Sequence, residues 1–151
     1  GDTLFCDMYA AYDGLTDEWK ERIDGLVAVH DFMLAFSGQT SDDNRDEMRE
    51  LYPLVEHPVV IRHHATGRKL IYVNRYFTSH IVGLSPEESG EILSHLVQQA
   101  SILEYQARFR WEVDSVAFWD NRAVQHYAAS DYFPDIRTME RASIKGGRPT
   151  A

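Results

Sequence analysis

The stretch Trp119–Arg141, W-D-N-R-A-V-Q-H-Y-A-A-S-D-Y-F-P-D-I-R-T-M-E-R, decides how the rest of the chain is read. His126 is expected just after a strand that ends in Asp120-Asn121-Arg122. Arg137 comes eleven residues later and Arg141 four beyond that. Side chains on an extended strand alternate with period two, so Arg137, Met139 and Arg141 would share one face and Thr138 and Glu140 the other. Buried guanidinium groups need anions and grip a carboxylate or sulfonate through paired N–H donors. If the shared face points into a barrel, the segment predicts a pocket for two anionic groups beside a potential metal ligand.

Working outward, Gln106–Val113 also alternates. Ala107, Phe109, Trp111 and Val113 point one way, and Arg108, Arg110 and Glu112 the other. A turn at Glu112–Ser115 leads to a short strand, Val116–Trp119, and the tail from Ile136 to Ile144 alternates again. Upstream, Ser85–Ala100 is the clearest helix. Ser85 caps it, Pro86 takes the first helical position, Glu88 completes a capping box, and Ile92, Leu93, Leu96 and Val97 form one apolar stripe. His57–Arg62 and Lys69–Asn74 read as strands joined by a turn at Ala65-Thr66-Gly67-Arg68. Val27–Phe36 reads as a strand followed by a turn. Thr16 caps a short helix ending near Gly25, and Ser41–Leu51 reads as a surface helix stopped by Pro53. Short strands with turn signals and two or three helices predict an all-β barrel or jelly roll carrying helical insertions.

Composition narrows the function classes. The 151 residues are 44% hydrophobic and 26% charged, enough for one domain with a real core. The net charge of −9 argues against a nucleic-acid partner, which needs a dense basic patch. No apolar run approaches the ~20 residues that span a bilayer, so no membrane partner is expected. The opening Gly1-Asp2-Thr3-Leu4-Phe5 has neither an initiator Met nor a signal-peptide pattern and reads as mid-chain sequence. A single cysteine, Cys6, points to a cytoplasmic, reducing compartment.

The segment W-D-N-R-x-x-x-H-x-A followed by R-x-x-x-R resembles the C-terminal part of the TauD/TfdA family of Fe(II)- and 2-oxoglutarate-dependent dioxygenases. The match extends back through Gly1-Asp2-Thr3-Leu4, His30-Asp31-Phe32, His57-Pro58-Val59-Val60, Thr66-Gly67-Arg68-Lys69, Tyr72-Val73-Asn74 and Phe77-Thr78, in order along nearly the whole chain. The resemblance implies a double-stranded β-helix (cupin-like jelly roll), with residues 1–151 forming the C-terminal part of one dioxygenase domain. It makes His126 the distal histidine of a 2-His-1-carboxylate iron site and puts Trp119 close to the iron. It assigns Arg137 and Thr3 to the 2-oxoglutarate carboxylate and Arg141 to the anionic group of the prime substrate. Phe36 and Phe77 match positions that wall the substrate pocket.

The family's first two iron ligands come from an H-x-D motif, and no His-x-Asp or His-x-Glu occurs here. That half is expected upstream of Gly1. The implied chemistry consumes Fe(II)-bound 2-oxoglutarate and O2, yields succinate and CO2, and hydroxylates a small anionic organic substrate. Taurine or a related alkylsulfonate, released as aldehyde and sulfite, comes first. A sulfate ester or an aryloxyacetate is the alternative, and a non-catalytic jelly-roll anion-binding module is the second. Homo-oligomerisation stays open. The ordinary meanings are solvated arginines, packing phenylalanines, structural His30 and His57, surface His63 and His64, and Cys6 as a small apolar residue.

Overall fold

The computed structural model describes residues 1–36 and 45–151. Among them are eight strands, five α-helices and one 3-10 turn. Strand β1 (Thr3–Asp7) runs into helix α1 (Met8–Asp13), because the Asp7 carboxylate accepts the N–H groups of Tyr9 and Ala10 and so caps the helix. Helix α2 (Asp17–Ile23) starts at the expected Thr16 cap. It is followed by Gly25 at φ +71, a left-handed position that glycine adopts without strain.

Strand β2 (Val27–His30) is followed by helix α3 (Phe32–Phe36) and not by a turn. The continuous apolar run hid this break. Asp31 makes it by accepting the Met33 N–H at 2.8 Å, as a helix cap does. Helix α4 (Arg45–Leu51) buries no residue and forms part of the surface helix read over Ser41–Leu51; positions 41–44 lie outside the described residues.

The predicted strand His57–Arg62 is two strands in two sheets. Strand β3 (Val55–Pro58) pairs with β2, and β4 (Val60–Arg62) pairs with β5 (Lys69–Ile71) as the expected hairpin, Ile61 opposite Leu70. At the switch, Val59 donates to Leu26 C=O and accepts from the Tyr72 N–H. Strand β6 (Thr78–Ile81) pairs with the other edge of β2. Helix α5 (Pro86–Gln99) has both hydrogen bonds of the capping box. It turns Ile92 and Leu96 into the core beside Met8, Ile23, Ile61, Leu70, Ile71, Val73 and Ile81.

The third sheet has the order β7-β1-β8, with β7 at Gln106–Phe109 and β8 at Val124–Ala128, both antiparallel to β1. The strands expected at Val116–Trp119 and Ile136–Ile144 are absent, and β7 ends four residues earlier than read, at Phe109 in place of Val113. An alternating pattern becomes a strand only where another backbone meets its N–H and C=O groups, and these segments have no such ladder among the described residues. Accordingly Val113 and Ile136 are each 93% exposed. Among the described residues, no helix is long and apolar enough to cross a membrane.

Candidate functional site

Strand β1 is central in its sheet, and its register settles which side chains meet. Thr3 lies opposite Phe109 on one side and Ala128 on the other; Phe5 lies opposite Ala107 and His126. Directly opposed residues of an antiparallel pair project to the same face. Thr3, Phe5, Phe109 and His126 therefore occupy one face of the sheet.

On that face the Thr3 hydroxyl accepts two hydrogen bonds, from Trp111 Nε1 at 2.8 Å and from Arg137 Nη2 at 3.1 Å. A hydroxyl has two acceptor lone pairs and one donor hydrogen. With both lone pairs engaged, the Thr3 O–H is left to donate. Arg137 also lies over the Trp111 ring, 5.9 Å from its centroid, and its Nε is buried without a hydrogen-bond partner among the described residues. An orphaned charged donor beside a free hydroxyl hydrogen is a ready-made receptor for one carboxylate. Gly1 is part of this cradle: a Cβ there would come within 2.9 Å of Arg137 Cδ.

His126 is exposed on the same face. Its ring packs against Trp119 (centroids 5.2 Å apart) and Phe5 (6.3 Å), and Phe5 and Trp119 are 5.0 Å apart. Loss of water on its packed side holds its pKa below the usual histidine value, and the nearby charge of Arg141 lowers it further. A neutral imidazole is the form that binds a metal.

The W-D-N-R segment is a turn, not the end of a strand. Asp120 Oδ1 accepts the Arg122 N–H and Nε, Asp120 Oδ2 accepts Arg122 Nη2, and the Asp120 C=O accepts the N–H groups of Ala123 and Val124. Arg122, joined by His63 Nε2 at 2.9 Å, holds the Asp120 carboxyl well below the usual carboxylate range. This knot sets Trp119 and the start of β8, and hence His126. His63, expected at the surface, is instead mostly buried against Asp120; its neighbour His64 is exposed.

Phe36 and Phe77 lie together, ring centroids 6.3 Å apart, in a cluster with Phe32 and Tyr52. The Asn74 side chain holds the loop of Phe77 by accepting the N–H groups of Tyr76 and Phe77. Gln125, next to His126, donates to Val73 C=O at 2.7 Å, which ties β8 to the start of that loop.

Residues 1–143 match the family described as taurine catabolism dioxygenase TauD, TfdA family. The chain belongs to the TauD/TfdA family. It is 36% identical over 143 residues to the alpha-ketoglutarate-dependent 2,4-dichlorophenoxyacetate dioxygenase of Cupriavidus pinatubonensis, covering 95% of this chain and 50% of that protein. The crystal structure of a taurine dioxygenase from Burkholderia xenovorans superposes with a TM-score of 0.73 at 36% identity, over 88% of this chain and 42% of that one. The structure of AAD-2 in complex with Mn(II) and N-oxalylglycine superposes at 0.87 and 30% identity, over all of this chain and 60% of that one. The chain spans about half or less of the length of the curated relatives it matches.

The groups that a TauD/TfdA centre requires fit part of this face. The orphaned Arg137 Nε, the donating Thr3 hydroxyl and the neutral His126 imidazole suit a keto acid held beside a metal. His126 is the candidate metal donor on this face, and among the described residues no cluster of three or more His, Cys, Asp or Glu could hold a metal ion.

One contact escaped the sequence reading. Trp111 was placed on the right face by its period-two spacing from Phe109, but nothing in the sequence signals that its indole N–H meets Thr3. His30 and His57, expected to be structural, pack with Tyr72, ring centroids 5.3–5.8 Å apart, and His30 Nε2 and His57 Nδ1 are buried without partners among the described residues. Burial, with His57 adding, pushes His30 down to about 4.

Proposed function

We propose that residues 1–151 are the C-terminal part of a single TauD/TfdA-type dioxygenase domain with a double-stranded β-helix core. The intact enzyme is an Fe(II)- and 2-oxoglutarate-dependent dioxygenase acting on a small anionic substrate. The observation that carries the proposal is the Thr3–Arg137–Trp111 cluster on the same sheet face as His126. The partial coverage of the relatives and the exposed apolar side chains Val113, Phe118 and Ile136 support a domain completed by further strands.

In this reading Arg137 and Thr3 bind the distal carboxylate of 2-oxoglutarate, a role suited to a fixed cation and one free O–H. N-oxalylglycine, bound in the AAD-2 structure, has the 2-oxoglutarate skeleton with an N–H in place of one methylene. His126 supplies an imidazole to the ferrous ion, and Trp119 and Phe5 shield one side of it from water. Iron, 2-oxoglutarate and O2 together supply hydroxylation of a C–H bond, with loss of succinate and CO2. Arg141, whose charge reaches His126, orients the substrate anion toward the centre. Phe36 and Phe77 form an apolar wall for its carbon chain.

Taurine or a related alkylsulfonate is the preferred substrate, and hydroxylation of its sulfur-bearing carbon releases aldehyde and sulfite. A sulfate ester or aryloxyacetate would use the same anion contact. Anaerobic titration of the intact protein with Fe(II) and 2-oxoglutarate tests the reading: a weak visible charge-transfer band is expected, absent in His126→Ala. Succinate release across sulfonates, alkyl sulfates and phenoxyacetates then ranks the substrates. Equal uncoupled turnover with every compound would remove the sulfonate preference.

A further inference from the structure

The aromatic cluster around Phe36 and Phe77 is held by a joint that the reaction does not itself require. Asp31 lies between β2 and α3 and makes three kinds of contact. Its N–H donates to Phe77 C=O at 2.7 Å, which fixes the loop carrying one wall residue. Its carboxylate accepts the Met33 N–H and starts α3, the helix that ends at the other wall residue, Phe36. The same carboxylate takes a two-pronged grip from Arg49, Nη1 to Oδ1 at 2.8 Å and Nη2 to Oδ2 at 3.1 Å. This is the fork geometry in which a guanidinium adds direction as well as attraction.

Arg49 belongs to α4, a seven-residue helix with no buried side chain. A surface helix without a buried face needs tertiary contacts to stay in place. Two of its contacts reach this joint. Arg49 grips Asp31. Tyr52, whose N–H donates to Met48 C=O, stacks on Phe32 with centroids 4.1 Å apart and rings within 14° of parallel. Phe32 in turn stacks on Phe36 at 4.5 Å and lies 6.4 Å from Phe77. The Asp31 side chain is 14% exposed and that of Arg49 44%, so the pair is anchored on its acidic side and partly screened from solvent.

Resting on the reading of Phe36 and Phe77 as the substrate wall, we propose that the Asp31–Arg49 pair is a specificity-determining positioning device. It fixes α4 and Tyr52 against the wall and so sets the length of carbon chain that the pocket accepts. The hydrogen bonds of the pair reach none of Thr3, Arg137 and His126 among the described residues. Its effect is therefore confined to the apolar part of the prime substrate.

The test uses the intact protein with Arg49→Gln, Asp31→Asn and Arg49→Lys. Two quantities are read. The first is the nuclear Overhauser contact between the Tyr52 and Phe32 rings. The second is calorimetric affinity for linear alkylsulfonates from ethanesulfonate to octanesulfonate, beside affinity for 2-oxoglutarate. Arg49→Gln and Asp31→Asn are expected to lose the ring contact, to weaken the best-bound sulfonate about tenfold, and to flatten the dependence on chain length. The double variant should be no worse than either single one, as for two halves of one interaction. Arg49→Lys should recover part of the selectivity, and 2-oxoglutarate affinity should not change. A retained ring contact in Arg49→Gln, or an unaltered chain-length profile, overturns the inference. Failure of the unsubstituted protein to bind 2-oxoglutarate is a separate result and sinks the reading of the Arg137 site. Absence of any chain-length preference in that protein overturns the inference directly.

Discussion

Arg137 donates to the hydroxyl of Thr3 at 3.1 Å, joining residues 134 positions apart in the chain. That bond brings the second half of the anion-binding pattern onto the sheet face of His126. Arg137→Ala should therefore weaken 2-oxoglutarate binding steeply. Loss of a charge-assisted contact to a buried anion costs about 2–5 kcal/mol, or roughly thirtyfold to several thousandfold in affinity. Isothermal titration with 2-oxoglutarate measures it, and an unchanged affinity would show that the arginine serves another purpose.

Thr3→Val should act in the same direction but less strongly. It removes one donor to the ligand and leaves Trp111 Nε1 and Arg137 Nη2 without their acceptor. A lost hydrogen bond to a charged group costs about 1.5–3 kcal/mol, so a fall of roughly tenfold to a hundredfold is expected in the same titration. Thr3→Ser keeps the hydroxyl and should stay near the original affinity.

Acid should destabilise the fold through His30. Its folded pKa is about 4, below its ordinary value of 6.5, because burial and the neighbouring His57 penalise the charged form. Between those values the unfolded chain binds a proton that the folded chain excludes, so stability falls as pH drops through about 6.5 toward 4. The group contributes about 3 kcal/mol of this loss. His57, itself lowered by burial and by Arg148, adds in the same direction. Urea unfolding at a series of pH values should show a shallower acid slope in His30→Leu than in the unsubstituted protein.

The secondary structure was legible where one segment carries its own stop signals. Ser85, Pro86 and Glu88 start α5 by local chemistry, and the Gly67 turn closes the β4–β5 hairpin. It was illegible where neighbouring apolar segments differ only in their partners. Val27–Phe36 conceals the β2–α3 joint at Asp31, and His57–Arg62 conceals a change of sheet at Val59. The alternation at Ile136–Ile144 is a real pattern without a strand, since the ladder it would need is not among the described residues.

The site was legible as a pattern rather than as contacts. The family resemblance marked His126, Arg137 and Arg141 as candidates; Arg137 meets Thr3 on the sheet face of His126 and the charge of Arg141 reaches His126, although the strand expected to align the two arginines does not form. The supports came from residues distant in sequence that no spacing rule links. His63 meets Asp120 across 57 positions, and Gln125 meets Val73 across 52.

Cys6 should resist alkylation in the folded protein. Burial, with Asp7 adding, pushes its thiol up to about 11, so almost none is thiolate at neutral pH. Iodoacetamide labelling followed by mass spectrometry should show modification only after denaturant is added.

The central claim is that Thr3, His126 and Arg137 serve one metal-and-keto-acid centre. The most direct test is two-dimensional NMR of the protein titrated with paramagnetic Mn(II) in the presence of 2-oxoglutarate. Selective broadening should appear first at the resonances of His126, Phe5 and Trp119 and reach Thr3 and Arg137. Broadening confined to the acidic surface of α4, or an Arg137 signal untouched by metal and keto acid alike, would contradict the account.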